Sequence, residues 1–160
     1  MPFEYRYRRR VEFSETDLAG IVHFSNYFRY METAEHEFLR SVGLSVHAQS
    51  EGRLISWPRV HAECSYDAPL AFGDEFEVHL LVRHKKRKSI TYEFLFHKAD
   101  AARPIARGIV TAVCVAIDAA TGKMCAITIP DEADRLIEVA PADRLHSGLS
   151  APASGRGETT

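Results

Sequence analysis

The stretch Val11 to Leu39, VEFSETDLAGIVHFSNYFRYMETAEHEFL, changes character halfway along, and that change decides the fold. From Tyr27 to Val42 the apolar residues Tyr27, Met31, Ala34, Phe38 and Val42 recur at spacings of three and four, with Phe28, Tyr30 and Leu39 beside them. That is the period of one amphipathic helix, here about 17 residues or roughly 25 Å long. Ser25 and Asn26 are candidate caps for its free N–H groups, and Gly43 suits the left-handed position after the last turn. Apolar side chains occupy more than half the helix circumference, which fits burial in a curved sheet better than rest on an open one.

Outside this helix the period drops to two. Upstream, Tyr5, Tyr7, Val11 and Phe13 alternate with Arg6, Arg8, Arg10 and Glu12, which predicts a half-exposed strand over 5–13. Downstream, three more strands follow from Val60, Ala62, Cys64 and Tyr66, from Phe76, Val78, Leu80 and Val82, and from Ile90, Tyr92, Phe94 and Phe96. Turn signals separate them at Pro69 with Gly73-Asp74, at Lys85-Lys86-Arg87 and at Lys98-Ala99-Asp100. Residues 105–117, IARGIVTAVCVAI, are apolar nearly throughout, as in a central strand covered on both faces. A short strand over 124–129 and a short helix opened by Pro130 with Asp131, Glu132 and Asp134 complete the pattern. The fold class is therefore α+β, a mostly antiparallel curved sheet wrapped around one long helix. A single domain is expected over 1–140. Residues 141–160, rich in Ser, Pro, Gly, Ala and Thr, are expected to form a tail without fixed structure.

Composition narrows the function classes. The chain has 160 residues, 46% of them hydrophobic and 26% charged, with a net charge of −2, so wholesale nucleic-acid binding is not implied. No run approaches the length of a membrane span, and the N-terminus lacks the apolar core of a signal peptide, so a cytoplasmic protein without membrane insertion is expected. Cys64, Cys114 and Cys125 are odd in number and lack metal-ligand spacing, and the histidines show no H-x-x-x-H pattern. Reduced structural thiols, no metal and no cofactor are expected.

Asp17 lies in the link between the first strand and the helix. Loops held by a rigid scaffold carry catalytic groups, and a helix N-terminus offers unpaired N–H groups to developing negative charge. Taken alone, such an aspartate is most simply an Asx turn or a solvated loop acid. Its surroundings alter that reading. Asp17-Leu18-Ala19-Gly20-Ile21-Val22-His23-Phe24-Ser25-Asn26-Tyr27 resembles the signature of the 4-hydroxybenzoyl-CoA thioesterase family: Asp, two small or apolar residues, Gly, two β-branched residues, two mostly aromatic ones, then Asn-Tyr. The likeness extends more weakly through Pro58, the pair Lys88-Ser89 and the later strands, over about residues 5 to 135.

This resemblance implies a hotdog fold whose smallest working unit is a dimer with active sites between subunits, as a homodimer or a dimer of dimers. It implies an acyl-CoA substrate, with Asp17 as nucleophile or general base and the backbone N–H of Phe24 polarising the thioester oxygen. Gly20 would let the backbone approach the substrate, and Ile21, Val22 and Phe24 would form an apolar wall that weakens hydration of the Asp17 carboxylate. Attack by the carboxylate and activation of water remain open alternatives. His23 stands where the best-known members carry Trp or Tyr. It could orient water or contact the acyl group, or merely satisfy a local hydrogen bond. Glu15 is a second candidate acid, most simply a solvated charge. Glu32, Glu35 and Glu37 read most simply as a solvated helix face, although related hotdog enzymes can place a catalytic glutamate on this helix.

Five basic residues within Arg83-His84-Lys85-Lys86-Arg87-Lys88, followed by Ser89, form a local anion site in a slightly acidic protein. Lys86, Arg87, Lys88 and Ser89 could clamp the phosphates of coenzyme A, and by resemblance the family binds them at this turn. The acyl group, small aromatic or short-to-medium aliphatic, stays open. Two rival readings are a non-catalytic acyl-CoA binding module and, less well supported, a 3-hydroxyacyl dehydratase. His23-Phe24 has a superficial likeness to the dehydratase His-Phe-Pro-Gly segment, but Ser25-Asn26 follows where Pro-Gly would stand.

Overall fold

The computed structural model describes residues 2–46, 48–50 and 53–146. Strand β1 (Glu4–Arg10) leads through a 3-10 turn at Phe13–Glu15 and a tight loop into helix α1 (Asn26–Ser41). Then come β2 (Ala48–Ser50), β3 (Arg53–Ser56), β4 (Arg59–Tyr66), β5 (Glu75–Lys86), β6 (Ser89–Lys98), β7 (Ala106–Val113), β8 (Val115–Ile117) and β9 (Met124–Ala126). Helix α2 (Asp131–Leu136) and a 3-10 turn at Ala142–Arg144 follow.

The main sheet has the order β1-β5-β6-β7-β4, antiparallel at every step, and a smaller sheet has the order β2-β3-β8-β9. Alternation selects the faces as expected. Phe76, Val78, Leu80 and Val82 of β5, with Ile90, Tyr92, Phe94 and Phe96 of β6, pack in one core with Tyr27, Tyr30, Met31, Ala34, Phe38 and Leu39 of α1. At Gly108 of β7 the Met31 side chain of α1 packs directly on the strand backbone, where an added Cβ would meet Met31 Sδ. Space, not a positive φ, favours glycine there, and the atom it would displace is the end of the flexible Met31 chain.

Three expected boundaries differ. The first strand stops at Arg10, because Glu12 and Glu15 cap each other reciprocally and wind Phe13–Glu15 into a 3-10 turn. The apolar run 105–117 is two strands, β7 and β8, broken at buried Cys114, whose N–H turns to the carbonyl of Lys88. The run therefore leaves the main sheet and enters the smaller one, which apolarity alone does not reveal. The third difference is at the C-terminus, where ordered chain continues to His146 instead of ending at 140. Leu145 packs with Leu81, Leu95, Ala140 and Phe3 on the sheet face away from α1. Arg144 pairs with Glu4 at 2.8 Å, and the His146 N–H donates to Glu93 Oε1 at 3.1 Å. Residues 147–160 lie outside the described residues. Among those described, no helix is long and apolar enough to cross a membrane, and no group of His, Cys, Asp and Glu has metal-site geometry.

Candidate active site

The loop between β1 and α1 is a small hairpin. Thr16 pairs with Val22, the Asp17 N–H donates to the Ile21 carbonyl at 2.8 Å, and the Gly20 N–H returns to the Asp17 carbonyl at 3.0 Å. Gly20 has φ +76°, so its role in this chain is to close the turn in the left-handed region, where a side chain would be strained. The hairpin is anchored to the segment before β5 through Ile21 paired with Ala71 and the Val22 N–H on the Leu70 carbonyl at 2.7 Å.

Asp17 sits at the tip, exposed. Its Oδ1 accepts the Ala19 N–H at 2.8 Å, an Asx turn, while Oδ2 accepts from no described group. Across the hairpin, past Val22, the backbone N–H of Phe24 likewise has no partner among the described residues. The other side of the same peptide is engaged, since the His23 carbonyl accepts the Asn26 N–H at 2.9 Å. Such a bond polarises the amide and makes its free N–H a better donor. The Phe24 carbonyl is fixed as well, by the Tyr66 hydroxyl at 3.1 Å. A free carboxylate oxygen and a free, oriented donor thus share one hairpin.

Ser25 and Asn26 do not cap α1 by their side chains. Ser25 Oγ meets His23 Nδ1 at 2.8 Å, and Asn26 Nδ2 donates to the Glu15 carbonyl at 2.8 Å, tying the helix start to the loop. His23 is thereby satisfied locally, its ring tilted over that of Phe24 at 4.5 Å. Glu15 is not a solvated charge but a fastener. Its Oε1 holds Arg9 at 2.6 Å, its Oε2 accepts the Glu12 N–H at 2.8 Å, and its carbonyl also accepts the His23 N–H at 2.9 Å.

The apolar wall expected around Asp17 is not closed within one chain. Val22 turns into the core, whereas Leu18, Phe24 (61% exposed), Phe13 (77%) and Phe72 (63%) face outward around the loop. An exposed apolar patch of this kind next to a polar site marks a surface made to be covered.

Arg87 and Lys88 form the two-residue turn between β5 and β6. The turn is clamped by the Ile129 N–H on the Arg87 carbonyl at 2.9 Å and the Cys114 N–H on that of Lys88 at 2.8 Å. Of its cations, Lys85 Nζ bonds the carbonyls of Asp134 and Ile137 at 2.6 and 2.7 Å, and Lys88 Nζ bonds that of Ala126 at 3.0 Å. Lys86 and Arg87 point outward with no described partner, and Ser89 is half-buried. The Asp17 hairpin is anchored just before β5 and this turn ends β5, twelve residues and roughly 40 Å of strand away. One chain does not bring Asp17 and the basic turn together.

Glu35 departs most from expectation. Instead of facing solvent it is 1% exposed, its Oε2 paired with Arg59 Nη2 and its Oε1 buried without a hydrogen-bond partner. Burial pushes its pKa up to about 7 against the opposing pull of Arg59. The signal was present in the sequence, since position 35 falls between Met31 and Phe38 on the buried stripe and Arg59 supplies a counter-charge. Glu32 stays half in solvent, 3.6 Å from Arg59, and Glu37 pairs with Arg40 at 3.0 Å on the outer face.

Residues 11–141 match the thioesterase-like superfamily. A 1,4-dihydroxy-2-naphthoyl-CoA hydrolase of Synechococcus sp. (strain CC9605) is 30% identical over 145 residues, covering 86% of this chain and 91% of its own. The solved structure of a gentisyl-coenzyme A thioesterase superposes with a TM-score of 0.68 at 31% identity, over 81% of this chain and 99% of that one. A 4-hydroxybenzoyl CoA thioesterase complexed with 4-hydroxybenzoyl CoA gives a TM-score of 0.74 over 84% of this chain and 99% of that one, and at 19% identity it shows the shared hotdog fold alone.

Proposed function

This chain belongs to the thioesterase-like superfamily, and from that membership and its site we propose that it hydrolyses the thioester of a small aromatic or short-to-medium aliphatic acyl-CoA. One observation carries the reading: the free Asp17 Oδ2 and the free Phe24 N–H stand on the two arms of a single hairpin closed by Gly20. A thioester carbonyl whose oxygen accepts the Phe24 N–H gains a stabilised oxyanion as it becomes tetrahedral. In one route Asp17 attacks the carbonyl, the C–S bond breaks to release the CoA thiolate, which takes a proton from solvent, and water opens the resulting anhydride to free acid and Asp17. In the other, Asp17 takes a proton from water that attacks the same carbonyl, and the C–S bond breaks as that proton passes to the departing thiolate. His23, hydrogen-bonded to Ser25 Oγ, takes a supporting position beside the Phe24 N–H.

The remaining parts require a second copy of the chain, as a homodimer or a dimer of dimers. The Lys86, Arg87, Lys88 and Ser89 turn is roughly a full strand length from Asp17 in its own chain. A turn that contacts the phosphates of a substrate at Asp17 therefore belongs to another subunit. The open edge of β4, with exposed Val60 and Tyr66, and the apolar surround of Asp17 supply surface for that copy.

Asp17→Asn tests the chemistry. It keeps the side-chain shape and the Asx turn but removes the charge and most of the basicity, so kcat for CoA thioesters should fall at least about 10²-fold while KM changes far less. Release of free thiol, followed with several acyl-CoAs, is the measurement. Near-parental turnover in a folded variant would remove Asp17 from the mechanism. Tight acyl-CoA binding by the parent without thiol release would favour the binding-module reading instead.

A further inference from the structure

The chain that leaves β4 runs beside the second arm of the Asp17 hairpin. Ala71 pairs with Ile21, the Leu70 carbonyl accepts the Val22 N–H at 2.7 Å, and the hydroxyl of Tyr66, the last residue of β4, donates to the Phe24 carbonyl at 3.1 Å. The first two contacts join backbone to backbone, as neighbouring strands are joined. The third is different. It is made by a side chain across 42 positions of sequence, and it lands on Phe24, the residue whose N–H is the free donor of the site.

The aim of that N–H depends on the peptide groups on either side of Phe24. The preceding one is fixed by the Asn26 N–H on the His23 carbonyl at 2.9 Å. The following one receives the Tyr27 N–H only at 3.4 Å, beyond the usual hydrogen-bond range, so the Tyr66 hydroxyl is its closer partner. No side chain caps α1 at Ser25, and the turn before the helix has no other lock from that source. Tyr66 is itself held from the core. Its ring stands edge-on to buried Tyr27 at 4.9 Å, and Tyr27 stands edge-on to Phe96 at 5.1 Å. Desolvation keeps the Tyr66 pKa above the usual tyrosine value, so the hydroxyl retains its proton and remains a donor. Tyr66 is still 43% exposed on β4, the open edge of the main sheet. A second copy seated there would exclude water from the bond and strengthen it.

We propose that Tyr66 is a positioning residue for thioester hydrolysis: its hydroxyl, carried at the end of the edge strand, fixes the Phe24 peptide so that the N–H meets the carbonyl oxygen as negative charge develops. The proposal rests on the hydrolase reading above and deepens it. Tyr66 touches no reacting atom and acts through Phe24. A donor aimed at the oxyanion contributes most in the transition state, and a small misplacement of it lowers kcat while leaving affinity nearly as it was.

Tyr66→Phe removes the oxygen and keeps the ring on Tyr27. In the full chain, with benzoyl-CoA and hexanoyl-CoA as probes and thiol release as the readout, kcat should fall about five- to twentyfold and KM should stay within about twofold. A second measurement reports on the donor itself. The probe that the parent cleaves faster, labelled with carbon-13 at the thioester carbonyl, is bound to the Asp17→Asn protein and its carbonyl stretch recorded by infrared difference spectroscopy. Adding Tyr66→Phe to Asp17→Asn should move that band to higher frequency, as for a carbonyl whose donor has been weakened. A parental kcat in Tyr66→Phe, or a band that does not move, overturns the proposal while the hydrolase reading stands. A rise in KM with kcat unchanged also overturns it, since Tyr66 would then contact bound substrate directly. Failure of the parent to release thiol from either probe overturns the hydrolase reading and the proposal with it.

Discussion

At Glu35, burial and the Arg59 guanidinium act on the same carboxyl in opposite directions, and burial wins, with the pKa raised from 4.5 to about 7. The folded protein therefore retains a proton that the unfolded chain gives up between about pH 4.5 and 7. Where the folded state binds more protons, stability falls as pH rises, so this residue should cost progressively more across that window, up to ~3 kcal/mol. Glu35→Gln, which mimics the protonated form, should match the parent in denaturant unfolding near pH 4.5 and exceed it at pH 8. Identical pH profiles would show that Arg59 neutralises the burial cost. Other charges around this carboxyl, Glu32 and Arg59, remain in both proteins, and so does Tyr92, which faces it across the core. Asp17, Gly20 and the Phe24 N–H were singled out in the sequence by the resemblance of 17–27 to a family signature, since Asp17 read alone is an Asx turn, which is the hydrogen bond its Oδ1 makes. The role of Glu15 was not legible, since its fastening depends on Arg9 across the 3-10 turn and on Asn26 at the helix start.

Among the elements, the β5–β6 hairpin shows most clearly what alternation can and cannot specify. Period-two patterning located both strands and the basic residues between them. It did not separate the cations that point outward from those that fasten α2 and β9, a distinction made only by tertiary contact. Lys86 and Arg87 meet no partner among the described residues, while Lys88 holds the Ala126 carbonyl. Replacing Lys86 and Arg87 together with Ala should raise KM for CoA thioesters by about five- to tenfold at low ionic strength, with little change in kcat and a smaller effect in high salt. Lys88→Ala should weaken binding less. Steady-state kinetics at two salt concentrations check both, and equal KM values for the double variant and the parent would remove the turn from the substrate site. The β7–β8 break was hidden for a related reason: 105–117 is apolar on either side of Cys114, and nothing local announces a change of sheet.

Over the whole molecule, the C-terminal segment straps the sheet face opposite α1. One apolar side chain, Leu145, and the partners of Glu4 and Glu93 suffice to hold Pro141 to His146, too little for composition to reveal. Truncation after His146 should leave the melting temperature almost unchanged. Truncation after Ala140 exposes Leu81 and Leu95 and removes a donor from buried Glu93, and should cost about 2 kcal/mol, visible in denaturant unfolding. Equal stability of the two truncated proteins would return the boundary to 140. A different whole-molecule constraint follows from Gly108, where the Met31 side chain of α1 rests directly on the backbone of β7. The missing methyl works as a gauge for that one contact. An added carbon on β7 would push against the end of the Met31 chain, and Met31 stands on α1 between the hairpin that presents the Phe24 N–H and the Glu35 carboxyl. A one-carbon addition on a strand would therefore be felt first at the middle of the helix that carries both.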